Sequence, residues 1–335
     1  MPELRGIPVA VDDGYAQVKI WSPKGEFVYA TSVRSGESRI GSLDGVKSGG
    51  SYRTGDEIFS VSDSVAADAT AYDGYHASPL NRVSVHHGLH MAGFGGKEVA
   101  LFLGLPIREF YRSGETNKEA SESKRRSFSV PVLPLHDALP VEIVRVRIFP
   151  QAVAAWVDAK FDANMRPQAG FESDAPMAVV DIGGRTTDVA VLLGKDIDHA
   201  RTGTENVGMI SVREMLEEEL KRQFGIEQKL PVRHLDGAIR SGTIILWGEK
   251  HDVAENVKAA RGAVAGKISR FVRRMLGDAA DLSTVLFVGG GANFFEDLPQ
   301  TFRNAKRATA PEFANARGIW KLGRNRDAMD LLNAK

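Results

Sequence analysis

At 335 residues the chain is long enough for about two domains, each able to bury its own core. Apolar residues make up 43% and charged residues 26%, and Lys plus Arg equals Asp plus Glu at 43 each, so no overall charge draws the chain to nucleic acid or to an acidic membrane. The absence of cysteine excludes a disulfide scaffold, a thiol nucleophile and a thiolate-bound metal.

From Ile7 to Ser32 three short apolar segments are separated by Asp12-Asp-Gly14 and Ser22-Pro-Lys-Gly25, the pattern of an antiparallel meander. Residues 34 to 56 are rich in Gly and Ser, and Tyr52 to Ser62 returns as strands, which marks a small peripheral insertion. Val83 to Gly93 has the pattern of a helix, and Val99 to Leu103 that of a buried strand that stops at Pro106. The run Val99 to Ile107 is the strongest apolar stretch, yet half of what a membrane span requires. The start, Met-Pro-Glu-Leu-Arg, lacks the apolar segment of a signal peptide, so a cytoplasmic protein without membrane contact is expected. Ser113 to Ser129 is polar and charged, and its Lys124-Arg-Arg126 cluster is expected on a solvated face.

After Pro150, Gln151 to Phe161 shows helical spacing at Val153, Trp156, Val157 and Phe161, and Asp162 to Pro176 has the composition of a linker. The second half opens with a strand at Met177 to Val180. Ser211 to Phe224 is an amphipathic helix stopped by Gly225, and Val253 to Leu276 is a long helix ended by Gly277. The apolar strand Thr284 to Val288 then runs into Gly289-Gly-Gly291.

Two segments repeat one design: Val9-Ala-Val-Asp-Asp-Gly-Tyr-Ala-Gln-Val18 and Val179-Val-Asp-Ile-Gly-Gly-Arg-Thr-Thr-Asp-Val189. Each is an apolar strand, an Asp, a tight turn and a second strand. Gly14, Gly183 and Gly184 give backbone freedom, and successive amides in such a turn can face an anion. Asp12 and Asp181, at the strand ends, suit a magnesium ion held through its waters. Asp12 and Asp13 point to opposite faces of a strand, so Asp12 is the one expected to face the nucleotide directly, with Asp13 beside it. Lys19 is expected to direct a cation at phosphate, and Thr186 and Thr187, next to Arg185, to add hydroxyl donors. The three glycines at 289 to 291, followed by Asn293, suggest a flat ligand such as adenine packed on bare backbone.

Other patterns fall away. Gly262-Ala-Val-Ala-Gly-Lys267 has three residues between its glycines where a P-loop has four, and Ile268 where Ser or Thr is required; within a helical pattern, packing explains it. His86 and His90, with His87 beside them, have metal-ligand spacing but no supporting Glu. No Gly-x-Ser-x-Gly elbow is present.

Two phosphate hairpins and a glycine-rich adenosine motif, in this order, resemble the superfamily of actin, sugar kinases and heat-shock-chaperone ATPases. Val83-Ser-Val-His-His-Gly-Leu89, Leu103-Gly-Leu-Pro-Ile-Arg-Glu-Phe-Tyr111 and Asn117-Lys-Glu to Lys124-Arg-Arg126 narrow the resemblance to bacterial plasmid-segregation actins of the ParM (StbA) type. The resemblance implies an α/β actin-like fold of two related domains around a nucleotide cleft, each with a smaller peripheral subdomain. Domain I would be 1–170, with an insertion at about 34–80 and completion by 314–335; domain II would be 171–313, with a peripheral subdomain at about 204–255. It implies an ATPase using ATP or GTP with Mg2+, which polymerises with itself and moves plasmid DNA only indirectly, through a ParR-like adaptor on a centromere-like site.

By position, Asp12, Gly14 and Lys19 match the first phosphate motif; Asp181, Gly183, Gly184 and Thr186 match the second; Gly289, Gly290 and Gly291 match the adenosine motif. Glu205, Asn206 and Gly208 fall in the segment bordering the nucleotide sugar. There are two departures. Gln151 stands where the plasmid type has Glu, which implies orientation of the attacking water rather than a base, and Tyr15 replaces a Ser, leaving only its backbone amide for phosphate. Asp181, Gln151 and Asp12 are thus the expected catalytic residues. The alternatives are an actin-like filament with another cargo, such as an organelle, a phage or cell shape, and a small-molecule kinase on the same core.

Overall fold

The computed structural model describes residues 5–37, 49–62, 70, 72–136, 138–169, 171 and 175–325. Parts of the expected insertion, linker and C-terminal segment (38–48, 63–69, 71, 170, 172–174 and 326–335) lie outside the described residues.

Two central sheets have the same strand order. In the first, Glu142–Pro150, Glu98–Leu105 and Ile7–Asp13 run parallel, and Ile7–Asp13 turns back into Gln17–Ser22 and then Gly25–Ala30. In the second, Ala305–Arg307, Thr284–Val288 and Met177–Ile182 run parallel, and Met177–Ile182 turns back into Thr187–Leu193 and then Asp196–Ile197, with Gly203–Glu205 also paired to Thr187–Leu193. The strands preceding the two Asp turns are buried on both faces, as expected of parallel strands covered by helices. Register places Asp12 opposite Lys19 and Asp181 opposite Asp188. The repeated sequence design is therefore a repeated sheet design.

One core lies between the sheets. The helices Val153–Lys160 and Ala314–Arg324 fill it, with Ala10, Phe102 and Phe149 from the first sheet and Val179, Leu286 and Val288 from the second. The helices cross closely because Gly318 has no side chain: a Cβ there would sit 1.8 Å from the Ala154 carbonyl oxygen. The outer face of the second sheet is covered by Met209–Phe224, Val232–Ser241 and Ala254–Leu276. The outer face of the first packs on the helix Pro79–Leu89 and on Phe128. A four-stranded sheet, Leu133–Pro134, Gly50–Thr54, Glu57–Val61 and Val33–Ser35, forms the small peripheral layer where an insertion was expected.

One expectation needs correction. The helix Lys118–Ser129 is amphipathic, and Lys124 is not on its solvated face; it is fully buried. Glu142–Pro150, which carries three arginine-free apolar positions between Arg145, Arg147 and Glu142, forms the edge strand of the first sheet, and Arg147 donates to the Gly323 carbonyl at 2.8 Å.

Candidate functional site

The two hairpin turns meet. A Cβ on Gly184 would approach that of Ala16 to 2.8 Å, so glycine lets the turns of the two sheets touch. None of Gly14, Gly183 and Gly184 has a positive φ; close approach, rather than the conformational freedom expected from the sequence, is their use. The second turn is closed by Gly183 N–H on the Thr186 carbonyl at 2.8 Å, and its Gly183 and Gly184 carbonyls accept the Met209 and Ile210 amides at the start of a helix. Gly208 is bare because a Cβ there would lie 2.6 Å from the Gly183 oxygen.

At this meeting point the structure gathers Asp12, Lys19, Gln151, Asp181 and Asp188. Gln151 follows the edge strand and donates from Nε2 to Asp12 Oδ1 at 2.7 Å, while Lys19 Nζ reaches Asp12 Oδ2 at 3.4 Å. Asp181 accepts from Asn315 Nδ2 at 2.6 Å. Burial, then the charges of Asp12 and Asp188, raise the Asp181 carboxyl to about 7. Burial raises Asp188 to about 6, against hydrogen bonds from the Thr204 and Thr186 hydroxyls. The pair Asp12 and Asp181 is thus short of positive charge. Among the described residues no three His, Asp or Glu side chains form a full metal cage. Two hard carboxylates that repel each other fit a magnesium ion that brings its own waters and phosphate oxygens.

Several expected site residues are placed differently. Asp13 points to the opposite face, where Lys124 Nζ donates to its oxygens at 2.8 and 2.6 Å and to the Gly104 carbonyl at 2.5 Å. Burial works against this carboxylate, but Lys124 and His76 outweigh it and hold it below the usual range. Asp13 is therefore corrected from a nucleotide neighbour to the buried anchor of the Lys118–Ser129 helix. Thr187 is also corrected: it is fully buried and its hydroxyl is engaged by the Val207 carbonyl at 2.8 Å. Thr186 directs its hydroxyl to Asp188 at 2.9 Å. The Tyr15 ring is buried against Tyr75 and His76, and Arg185 crosses from the other sheet to lie over it, 5.2 Å from the centroid, and to pair with Asp73 at 3.1 Å.

Gly289 has φ +84, and a Cβ there would fall 2.3 Å from Asp181 Oδ1; Gly291 packs equally close on Ile182, while Gly290 faces open space. Gly289 N–H donates to the Pro311 carbonyl at 2.8 Å, and Asn293 to Glu312 at 2.9 Å. Glu205 and Asn206 line a cavity of about 330 Å³ with Val207, Phe271 and three cations, Lys267, Arg270 and Arg274; Arg274 meets Glu205 at 2.8 Å.

Sequence reasoning missed these three cations and Asn315. Lys267, Arg270 and Arg274 recur at 3 and 4 residues along one helix, a visible signal; the Gly262–Lys267 stretch lies in that helix with Val264 buried, as the packing reading expected, while Lys267 itself lines the cavity. Asn315 carried no signal, since its partners are distant in sequence.

The N-terminal part of the chain, residues 7–162, matches the family model described as plasmid segregation protein ParM, N-terminal, and residues 179–300 match that of the archaeal actin homologue MreB-like, C-terminal. No curated protein sequence matches the chain significantly. Among solved structures, a non-polymerisable quadruple mutant of pCBH ParM aligns at TM-score 0.78 and 18% identity, covering 95% of this chain and 99% of that one. A 15-stranded ParM filament from Clostridium botulinum aligns at 0.76 and 17%, covering 96% and 99%. An archaeal actin homologue in complex with ADP aligns at 0.73 and 17%, covering 97% and 99%. At these identities the likeness establishes the actin-like fold.

Proposed function

We propose that this chain, whose N-terminal part matches the ParM family model and whose fold is actin-like, is a ParM/StbA-type protein that hydrolyses ATP or GTP between its two sheets, assembles into filaments and segregates plasmid DNA through a ParR-like adaptor. The observation that carries the reading is the convergence of Asp12 and Asp181 from two hairpins of matching register. The ADP bound by one structural relative and the filament formed by another support it. In this reading 1–170 with 314–335 makes one domain and 171–313 the other.

Asp12 and Asp181 would hold Mg2+ through its waters, and the ion would offset negative charge on the terminal phosphates. Amides of the turns at Gly14–Tyr15 and Gly184–Thr186 would hold anionic oxygens, and Lys19 adds a cation beside Asp12. The Gln151 carboxamide, fixed by its bond to Asp12, orients the attacking water; it takes up no proton. Glu205 and Asn206, with Lys267, Arg270 and Arg274, form the wall for the sugar and base, and Gly289 to Gly291 leave backbone bare for the nucleoside.

Sedimentation of the purified protein with ATP and with ADP, together with phosphate release, tests the reading. Nucleotide-dependent pelleting with phosphate release is expected. Failure to pellet with any nucleotide at high protein concentration removes the filament, and phosphate transfer to a small acceptor points instead to a kinase.

A further inference from the structure

Ala152, immediately after Gln151, is fully buried and has φ 61° and ψ −48°. The Val153 amide donates to the Gln151 carbonyl at 2.7 Å, which closes a three-residue γ-turn with Ala152 at its centre. This is the rare, strained form of the turn, and for a residue with a Cβ it persists only where neighbours hold it. The neighbour is Asn315, 4% exposed, in the first turn of the helix Ala314–Arg324. Its Oδ1 accepts the Ala152 amide at 3.0 Å and its Nδ2 donates to Asp181 Oδ2 at 2.6 Å.

A single carboxamide therefore ties the turn that carries Gln151, at the end of the first sheet, to the Asp of the second. The preceding residues tie in the third motif, through Gly289 N–H on the Pro311 carbonyl. Gln151 itself has little other freedom: its amide donates to the Leu105 carbonyl at 2.8 Å, and its side chain lies over Gly104, where a Cβ would meet Gln151 Cγ at 2.8 Å. With the strand side fixed, the direction of the side chain depends on the turn that follows.

We propose that Asn315 is a positioning residue for Gln151: fixed to Asp181 at one end and to the Ala152 amide at the other, it holds the strained turn that aims the Gln151 carboxamide into the cleft. The inference rests on the reading of the site as a nucleoside triphosphatase. Without Asn315 the turn relaxes, because the Ala152 amide loses the partner that helps offset the cost of a positive φ at an alanine. A glycine at 152 adopts the same φ without that cost, so Ala152→Gly compensates for loss of the clamp. A residue that serves only to fill space has no such partner.

The test measures phosphate release from Mg2+-ATP by wild type, Asn315→Ala and the double variant Asn315→Ala/Ala152→Gly, with folding checked by thermal melting. Asn315→Ala is expected to lower kcat about 10- to 100-fold with KM within about threefold of wild type. The double variant is expected to regain most of the lost kcat. If Asn315→Ala does not fold, Asn315→Ser, whose shorter side chain reaches only one of the two partners, is expected to show the same loss and the same rescue. Unchanged kcat, a loss confined to KM, or a double variant no faster than the single one overturns the inference. Absence of phosphate release by folded wild-type protein overturns the functional reading and this inference with it; normal release by both wild type and Asn315→Ala overturns this inference alone.

Discussion

Asp181 stands directly opposite Asp188 in the second hairpin, where the matching position of the first pairs Asp12 with Lys19. One hairpin thus sets an acid across from a base, the other an acid across from an acid. Burial raises both carboxyls of the second pair, Asp181 to about 7 and Asp188 to about 6.

The sign of the pH effect follows. Both groups have folded values above the unfolded value of 3.8, so the folded protein binds more protons over that interval and loses stability as pH rises through it. Each contributes a slope of about 1.4 kcal/mol per pH unit. Asp188→Asn removes one group and relieves the other. Urea unfolding of the nucleotide-free protein is expected to show Asp188→Asn gaining on wild type between about pH 4 and pH 7; a difference independent of pH would contradict this electrostatic origin.

Lys124→Met strands the Asp13 carboxylate in a fully buried place. Loss of one partner of a buried pair costs about 3–5 kcal/mol, and removing the charge of the other recovers much of it. Urea midpoints should fall for Lys124→Met and rise again for Asp13→Asn/Lys124→Met. Equal midpoints for wild type and Lys124→Met would mean that the pair contributes nothing.

His86 is buried, with neither ring nitrogen hydrogen-bonded among the described residues and its ring stacked on Phe128, and burial, then Arg82, lowers it to about 3. Here the folded value lies below the unfolded 6.5, so stability is lost as pH falls through this window, at about 1.4 kcal/mol per unit. His86→Leu keeps the apolar contact and has nothing to protonate. Its stability relative to wild type is expected to increase on acidification below about pH 6.5, and a constant difference down to about pH 4 would show that His86 accepts a proton in the fold.

At Gly289 an added methyl meets Asp181 Oδ1 at 2.3 Å, on a backbone with φ +84. Gly289→Ala is expected to displace Asp181, to cost about 1–3 kcal/mol from strain alone, and to lower phosphate release more than it lowers the melting temperature would explain. Wild-type turnover in a folded Gly289→Ala protein would remove this contact from the site.

Much of this fold was legible because its signals are local. Both Asp turns, the strand before the triple glycine and the helix stop at Gly225, which has φ 67, are written in runs of a few residues. What was not legible depends on partners far apart in the chain. Lys124 sits in a charged run that looks solvated until Asp13 is brought to it. Thr187 has the same letters as a phosphate donor, and only the pleat turns its hydroxyl to Val207. Asn315 acquires its role from Ala152 and Asp181 together, neither of them near it in sequence. The edge strand Glu142–Pro150 alternates arginines with apolar residues and shows its purpose only when Gln151 emerges at its end beside Asp12.

Steady-state phosphate release from Mg2+-ATP by wild type and Asp181→Ala, each shown to be folded by melting, tests hydrolysis at the paired carboxylates. Release by wild type and none above background for Asp181→Ala is expected. Unchanged turnover in Asp181→Ala would contradict it.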